Sequence, residues 1–312
     1  MKKVYLAIVF GLFFSVLSVN AQLPTGIPTR AEQIERMKRE REAASQEAAR
    51  LQDKIRAAGT KNVPNMQVRR MRFERSIKPL YREPTKEELK AISLNPEDTE
   101  KYADFLRQPD TGLIKLAVDS GCEENLRIVV ATPECLKYTM PGAGSSYSFR
   151  TENYRLQRLA DIIYTDNSFQ SAGVLLHGIF VKIGDVPLEK VNLQTKGLKF
   201  LVDFEPETNN DKKREFDKRI SEGFLIDGFQ YRRGLSAVEN TTYALRSIAY
   251  NGLYARAAQG ISYNELNLDK RRDIIVAFRV VRKDSDGSVT ILWKKLLQKD
   301  PPKRNFPKQA KG

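Results

Sequence analysis

Arg272–Lys283 reads RDIIVAFRVVRK, Ser288–Leu296 reads SVTILWKKL, and Asp284-Ser285-Asp286-Gly287 lies between them. β-Branched and aromatic residues fill both runs, and Gly287 supplies the positive φ that a tight reversal needs. The pair therefore predicts a β-hairpin, with strands over 273–283 and 288–297. Working outward from it, the same texture of short apolar runs between turn residues begins after Pro109. It predicts further strands near 113–118, 126–131, 146–151, 159–164, 173–183, 198–204, 229–233, 241–250 and 253–258. Asn251-Gly252, between TTYALRSIAY and LYARAA, reads as a second hairpin turn of the two-residue type. One helix is expected over 209–224, ended by Gly223. Strands and helices do not alternate as they would around a parallel sheet. The fold class expected is α+β: a mainly antiparallel β domain, sandwich or barrel-like, over 111–298, preceded by a charged N-terminal helix. About 190 residues are ample for one core.

The chain opens with Lys2 and Lys3, an apolar run VYLAIVFGLFFSVLSV, and small residues at Val19 and Ala21. That order predicts a secretory signal peptide over 1–21 and an exported mature chain, periplasmic, cell-envelope or extracellular. The apolar run is shorter than the roughly 20 residues that cross a bilayer, so no retained transmembrane segment is expected. Thr29-Arg30-Ala31-Glu32 forms a capping box, and Ile34, Met37, Arg41, Ala44, Ala48, Leu51, Ile55 and Ala58 then recur at heptad spacing. A charged helical arm over 22–62 follows from this pattern, able to support a helix-mediated oligomer. Residues 63–110 read as a basic linker and two short helices. The helices are opened by the capping box Thr85-Lys86-Glu87-Glu88 and by Pro96.

The net charge is +14, and its distribution decides what it means. Residues 22–82 carry 15 Lys and Arg against 7 Asp and Glu; residues 299–312, a Pro/Lys-rich tail, carry 5 against 1. The stretch 83–298 carries 31 of each sign and balances. Bulk attraction to a polyanion thus belongs to the flanks, not to the β domain. Within the first flank, Arg69, Arg70, Arg72, Arg75, Lys78 and Arg82 are interleaved with Phe73 and Tyr81. Cations with aromatics would suit nucleic acid in a cytosolic chain, but nucleic acid is not expected as the partner of an exported one. An anionic envelope component or an acidic protein is the partner expected for this patch.

Cys122 and Cys135 enclose twelve residues, and in an oxidising compartment a lone pair is expected to form a disulfide. His177 is the only histidine, so a metal site lacks its usual three or four ligands and a catalytic thiol would have His177 alone as its base. It lies in AGVLLHGIFVKIG, apolar on both alternating faces, which predicts a strand buried on both sides and a core histidine. A catalytic role would need a carboxylate such as Asp161 or Asp185 beside it. Asp110-Thr111-Gly112 and Asp119-Ser120-Gly121 match a short aspartic-protease signature but lie too close together for two lobes, and read as turns. MPGAGSSYSFR, Met140–Arg150, has neither the spacing nor the lysine of a phosphate loop and reads as a flexible turn entering a strand. No catalytic residue, metal or cofactor is assigned. The function expected is binding or scaffolding in the cell envelope; the alternative is a glycan or peptide hydrolase with Asp/Glu acid-base chemistry.

Overall fold

A computed structural model describes residues 66–118, 140–171 and 173–303, together with Gln46. The chain divides into a unit of residues 1–63 and a unit of residues 64–312, and every strand and helix described belongs to the second, Gln46 aside. The signal peptide, the capping box at Thr29, the heptad helix, the strand near 126–131, the turn at Asp119 and the Cys122–Cys135 disulfide are expectations that lie outside the described residues.

Four helices come first: α1 (Met66–Tyr81), α2 (Lys86–Ala91), α3 (Pro96–Lys101) and α4 (Ala103–Leu106). The Thr85 box is real, its side chain accepting from Glu88 N while Glu88 accepts from Thr85 N. Asn95 caps α3, with Pro96 at its first turn. The strands are β1 (Thr111–Leu116), β2 (Ser146–Ser148), β3 (Asn153–Tyr154), β4 (Ile162–Thr165), β5 (Ser168–Gln170) and β6 (Leu176–Gly184). After helices α5 (Lys199–Asp203) and α6 (Asn210–Glu222) come β7 (Phe224–Ile226), β8 (Phe229–Arg232), β9 (Gly234–Ser236) and β10 (Thr241–Ala249). The hairpin β11 (Ala255–Ala258) and β12 (Ile261–Asn264) precedes the two longest strands, β13 (Asp273–Lys283) and β14 (Val289–Lys299).

Among the described residues these strands make a seven-stranded sheet in the order β1-β14-β13-β10-β6-β8-β7, a five-stranded sheet β3-β2-β4-β5-β9, and the β11-β12 pair. All strand pairings are antiparallel, and neither sheet closes into a barrel. β13 and β14 pair as the sequence predicts, and the turn closes with Gly287 N donating to Asp284 O at 3.0 Å, Gly287 having φ 82°.

Alternation sorts the seven-stranded sheet into two buried faces. Phe180, Tyr243, Leu245, Val276, Phe278, Ile291 and Trp293 meet Tyr147, Phe149, Tyr164 and Phe169 of the five-stranded sheet in one core. Ile179, Val181, Ala244, Ile248, Ile275 and Ala277 face the other way, against Phe105, Leu201, Phe216 and Ile220 of the helices. The unit of residues 64–312 is therefore sheet, sheet and helix in three layers among its described residues, and β10, in the middle, is buried along its whole length.

Three sequence readings need correction. Residues 198–204 are not a strand: Lys199–Asp203 is helix α5, whose Leu201 is buried while Phe200 packs on Tyr231 with ring centres 4.7 Å apart. Asn251-Gly252 is not a two-residue hairpin turn. Both edges of β10 are taken, by β6 and β13, so β11 pairs with β12 instead. The basic stretch read as linker is helical over Met66–Tyr81.

Candidate interaction surface

Helix α1, MQVRRMRFERSIKPLY, is anchored by one side. Ile77 and Leu80 are buried, and Phe73 meets Tyr263 of β12 edge-on with ring centres 5.3 Å apart. The Tyr81 hydroxyl lies 2.9 Å from the Tyr263 hydroxyl and donates to Glu265. Glu265 is fully buried and takes Arg158 Nε on both carboxylate oxygens at 2.9 Å. Burial first, then the hydrogen bond to Glu265, hold the Tyr81 phenol well above its ordinary range. It therefore stays a donor, which is what a buried carboxylate requires of its neighbour. Pro79 has no N–H to return to the carbonyl of Arg75, and the helix ends two residues on.

The six cations of the predicted patch divide into two groups. Arg69 donates to Gly260 O at 3.2 Å, Arg70 pairs with Glu74 at 3.3 Å, and Arg82 forks onto Glu88 at 2.5 and 2.7 Å. Arg72, Arg75 and Lys78 are exposed, and their side chains carry no hydrogen bond or ion pair to another described residue. With Val68 and Met71 they recur at spacings of three and four residues, which places them on one side of the helix, opposite Phe73, Ile77 and Leu80. Met71 is 60% exposed and Val68 36%. The outer face is a short apolar strip among cations.

His177 is the other candidate, and the structure brings neither Asp161 nor Asp185 to it. Asp161 lies between the two sheets, accepting from Arg150 Nε at 2.7 Å, from Ser148 Oγ at 3.0 Å and from Ser247 Oγ. Asp185 pairs with Arg279 at 2.6 Å. The carboxylate that does approach is Asp217 of α6, with Oδ1 2.9 Å from His177 Nε2 but off the line of a directed hydrogen bond. Its other oxygen takes Lys213 at 3.1 Å, and the Tyr250 hydroxyl is 3.4 Å from His177 Nδ1. Burial lowers the imidazole below its ordinary pKa, against the opposing pull of Asp217, so it is neutral at pH 7. Burial would raise Asp217, but His177 and Lys213 outweigh it and hold the carboxyl at about 2. The ring lies between Phe216 and Tyr250 at 5.7 and 5.2 Å. This is a polar tie between helix and sheet, consistent with a core histidine.

The remaining buried carboxylates are held by arginines. Arg150 also reaches Asp269 at 2.5 Å, Arg246 takes Asp273 with Nε and Nη2 at 3.0 and 2.7 Å, and Arg282 takes Asp98 at 2.6 Å. Burial alone would lower the Arg150 guanidinium; Asp161 and Asp269 outweigh it and hold it above its ordinary value. No group of three or more metal-ligating side chains occurs among the described residues. Asp110 is a turn residue with φ 58°, its Oδ1 accepting from Lys295 at 2.7 Å.

Met140–Arg150 is a turn entering β2, as its sequence suggests, and it is buried at every residue. Gly142 has φ 75°, and a Cβ there would lie 2.3 Å from Arg155 O. The glycine serves close packing of chain on chain, not a phosphate. Glu265, Tyr263 and Asp217 were not legible as partners. Only the i, i+4 spacing of Lys213 and Asp217 on a predicted helix hinted at one pair.

Comparison of the chain with known protein families, with curated proteins and with solved structures gives no match.

Proposed function

We propose that this is an exported binding or scaffolding protein of the cell envelope, attached through the basic outer face of α1 to an anionic component. The observation that carries the reading is the division of the six cations. Arg82 and Arg69 are tied to Glu88 and to Gly260 O and Arg70 pairs at the surface with Glu74, while Arg72, Arg75 and Lys78, unpaired among the described residues, stand together on the exposed side of a helix whose other side is bolted to the β11-β12 pair. A rigid presentation lowers the ordering cost of binding, so charges held this way are better suited to a partner than the same charges on a loose linker. The arginine partners of the buried carboxylates favour this reading over acid-base hydrolysis, because those acids serve the fold.

The test is charge reversal of the three exposed cations in the otherwise intact chain. Arg72→Glu, Arg75→Glu and Lys78→Glu together should move the protein from the envelope fraction to the soluble fraction, with near-ultraviolet circular dichroism of the buried Trp293 unchanged. Wild-type attachment should weaken with salt, since exposed charges are screened within about 8 Å at physiological ionic strength. Unchanged fractionation of a folded triple variant would refute the proposal.

A further inference from the structure

Resting on the attachment reading above, we propose that the outer face of α1 lies on the surface of an anionic lipid bilayer. Val68 and Met71 would enter the headgroup boundary, and Arg72, Arg75 and Lys78 would meet lipid phosphates. Three features of the face support this occupant.

The first is charge complementarity without interruption. The only acid of α1, Glu74, is half-buried and engaged by Arg70, so the outer face presents cations to a negative surface with no opposing carboxylate. The second is the mixture of side chains. Val68 and Met71 are exposed in the same strip as the cations, and long Arg and Lys stems can lie along an apolar boundary while their charged ends reach outward. An interfacial helix needs this combination of apolar strip and basic rim. The third is shape. The outer side of a single helix is a convex ridge, whereas the aromatic and aliphatic anchors that would suit a protein pocket, Phe73, Ile77 and Leu80, are turned inward and already occupied. A broad, deformable, negatively charged surface fits a ridge of small apolar area and multiple cations.

The experiment uses the full mature chain, co-sedimented with phosphatidylcholine vesicles with and without phosphatidylglycerol. Binding is expected only with the anionic lipid and should fall as salt rises. The triple variant Arg72→Glu, Arg75→Glu, Lys78→Glu should lose about 100-fold or more in partitioning, at roughly fivefold for each cation removed. Met71→Ser should reduce binding by several-fold, and the fluorescence of a Met71→Trp variant should shift to the blue on anionic vesicles. Equal binding to neutral vesicles, or a folded triple variant that binds as wild type, would overturn the proposal. So would soluble polyphosphate capturing the protein as tightly as vesicles with Met71→Ser silent. In each of those cases, loss of envelope fractionation in the triple variant would show that attachment stands with a different anionic partner. Unchanged fractionation would remove both readings.

Discussion

The two faces of the seven-stranded sheet are closed in different ways. Toward the second sheet, the core is dense in aromatics: Phe149 meets Trp293 edge-on at 5.4 Å, and Tyr243 stacks on Phe278 at 5.3 Å. The charges there, Arg150, Asp161 and Asp269, have side chains at most 1% exposed. Arg150 spends its donors on Asp161, Asp269, Lys270 O and Leu159 O, and so ties three chain segments together. Toward the helices, the tie at His177 runs through Asp217, whose side chain is 35% exposed. The charges on the first face are sealed from solvent; the second face includes one contact that solvent reaches. A buried ion network adds little when intact and costs much when broken, whereas a half-exposed one is weak but titratable.

The largest effect expected is at Arg150. Arg150→Met leaves Asp161 buried without its cation, Asp269 keeping Arg271 at 2.8 Å, and should cost about 3–5 kcal/mol, read as a lower urea midpoint. A loss under about 1 kcal/mol would mean that the sheet–sheet face tolerates its buried acids and that the two faces do not differ in this way. On the helix face, Asn209 caps α6 by accepting from Asp211 N at 2.8 Å and Lys212 N at 3.3 Å. Asn209→Ala should cost about 1 kcal/mol and should loosen the amides of α6 in hydrogen exchange before those of β10.

The smallest effect separates the faces by pH. The folded imidazole of His177 lies below its ordinary value of 6.5, so the unfolded chain takes up that proton first as the solution is acidified. Stability should therefore fall as the pH drops through about 6.5 and below, and His177→Gln should flatten that part of the curve. Asp217 acts at lower pH. Its carboxyl is held at about 2 against an ordinary 3.8, so its contribution is full above about 3.8 and is lost as the pH falls through 2. Discounted for its exposure, that contribution is about 1 kcal/mol, and Asp217→Asn should remove it. A pH dependence unchanged in both variants would show that the partly exposed His177–Asp217 contact does not couple stability to protons.

Much of this fold can be read locally. The β13-β14 hairpin, the Thr85 capping box and the helix ending at Gly223 rest on turn chemistry and on side chains a few residues apart, and the structure has all three. Where reading failed, distant contacts had decided. GLKFLVDFE alternates well enough for a strand, yet its Phe200 and Phe204 reach Tyr231 and Phe216 only if Lys199–Asp203 is coiled into α5. Asn251-Gly252 carries a hairpin signature, but β10 had no free edge to offer.

The same division holds for the candidate surface. Composition and order by themselves determined that a basic, aromatic-spiced segment precedes a β-rich domain of balanced charge. Which cations stay unpaired among the described residues was decided largely by the tertiary structure: Arg70 finds Glu74 four residues on, but the partners of Arg69 and Arg82 arrive by folding. Gly260 O takes Arg69 from across 191 residues of chain, and Arg82 reaches Glu88 only after α1 has ended. Arg72, Arg75 and Lys78 remain because the helix turns Phe73, Ile77 and Leu80 inward, and a helix that buries one side must present the other.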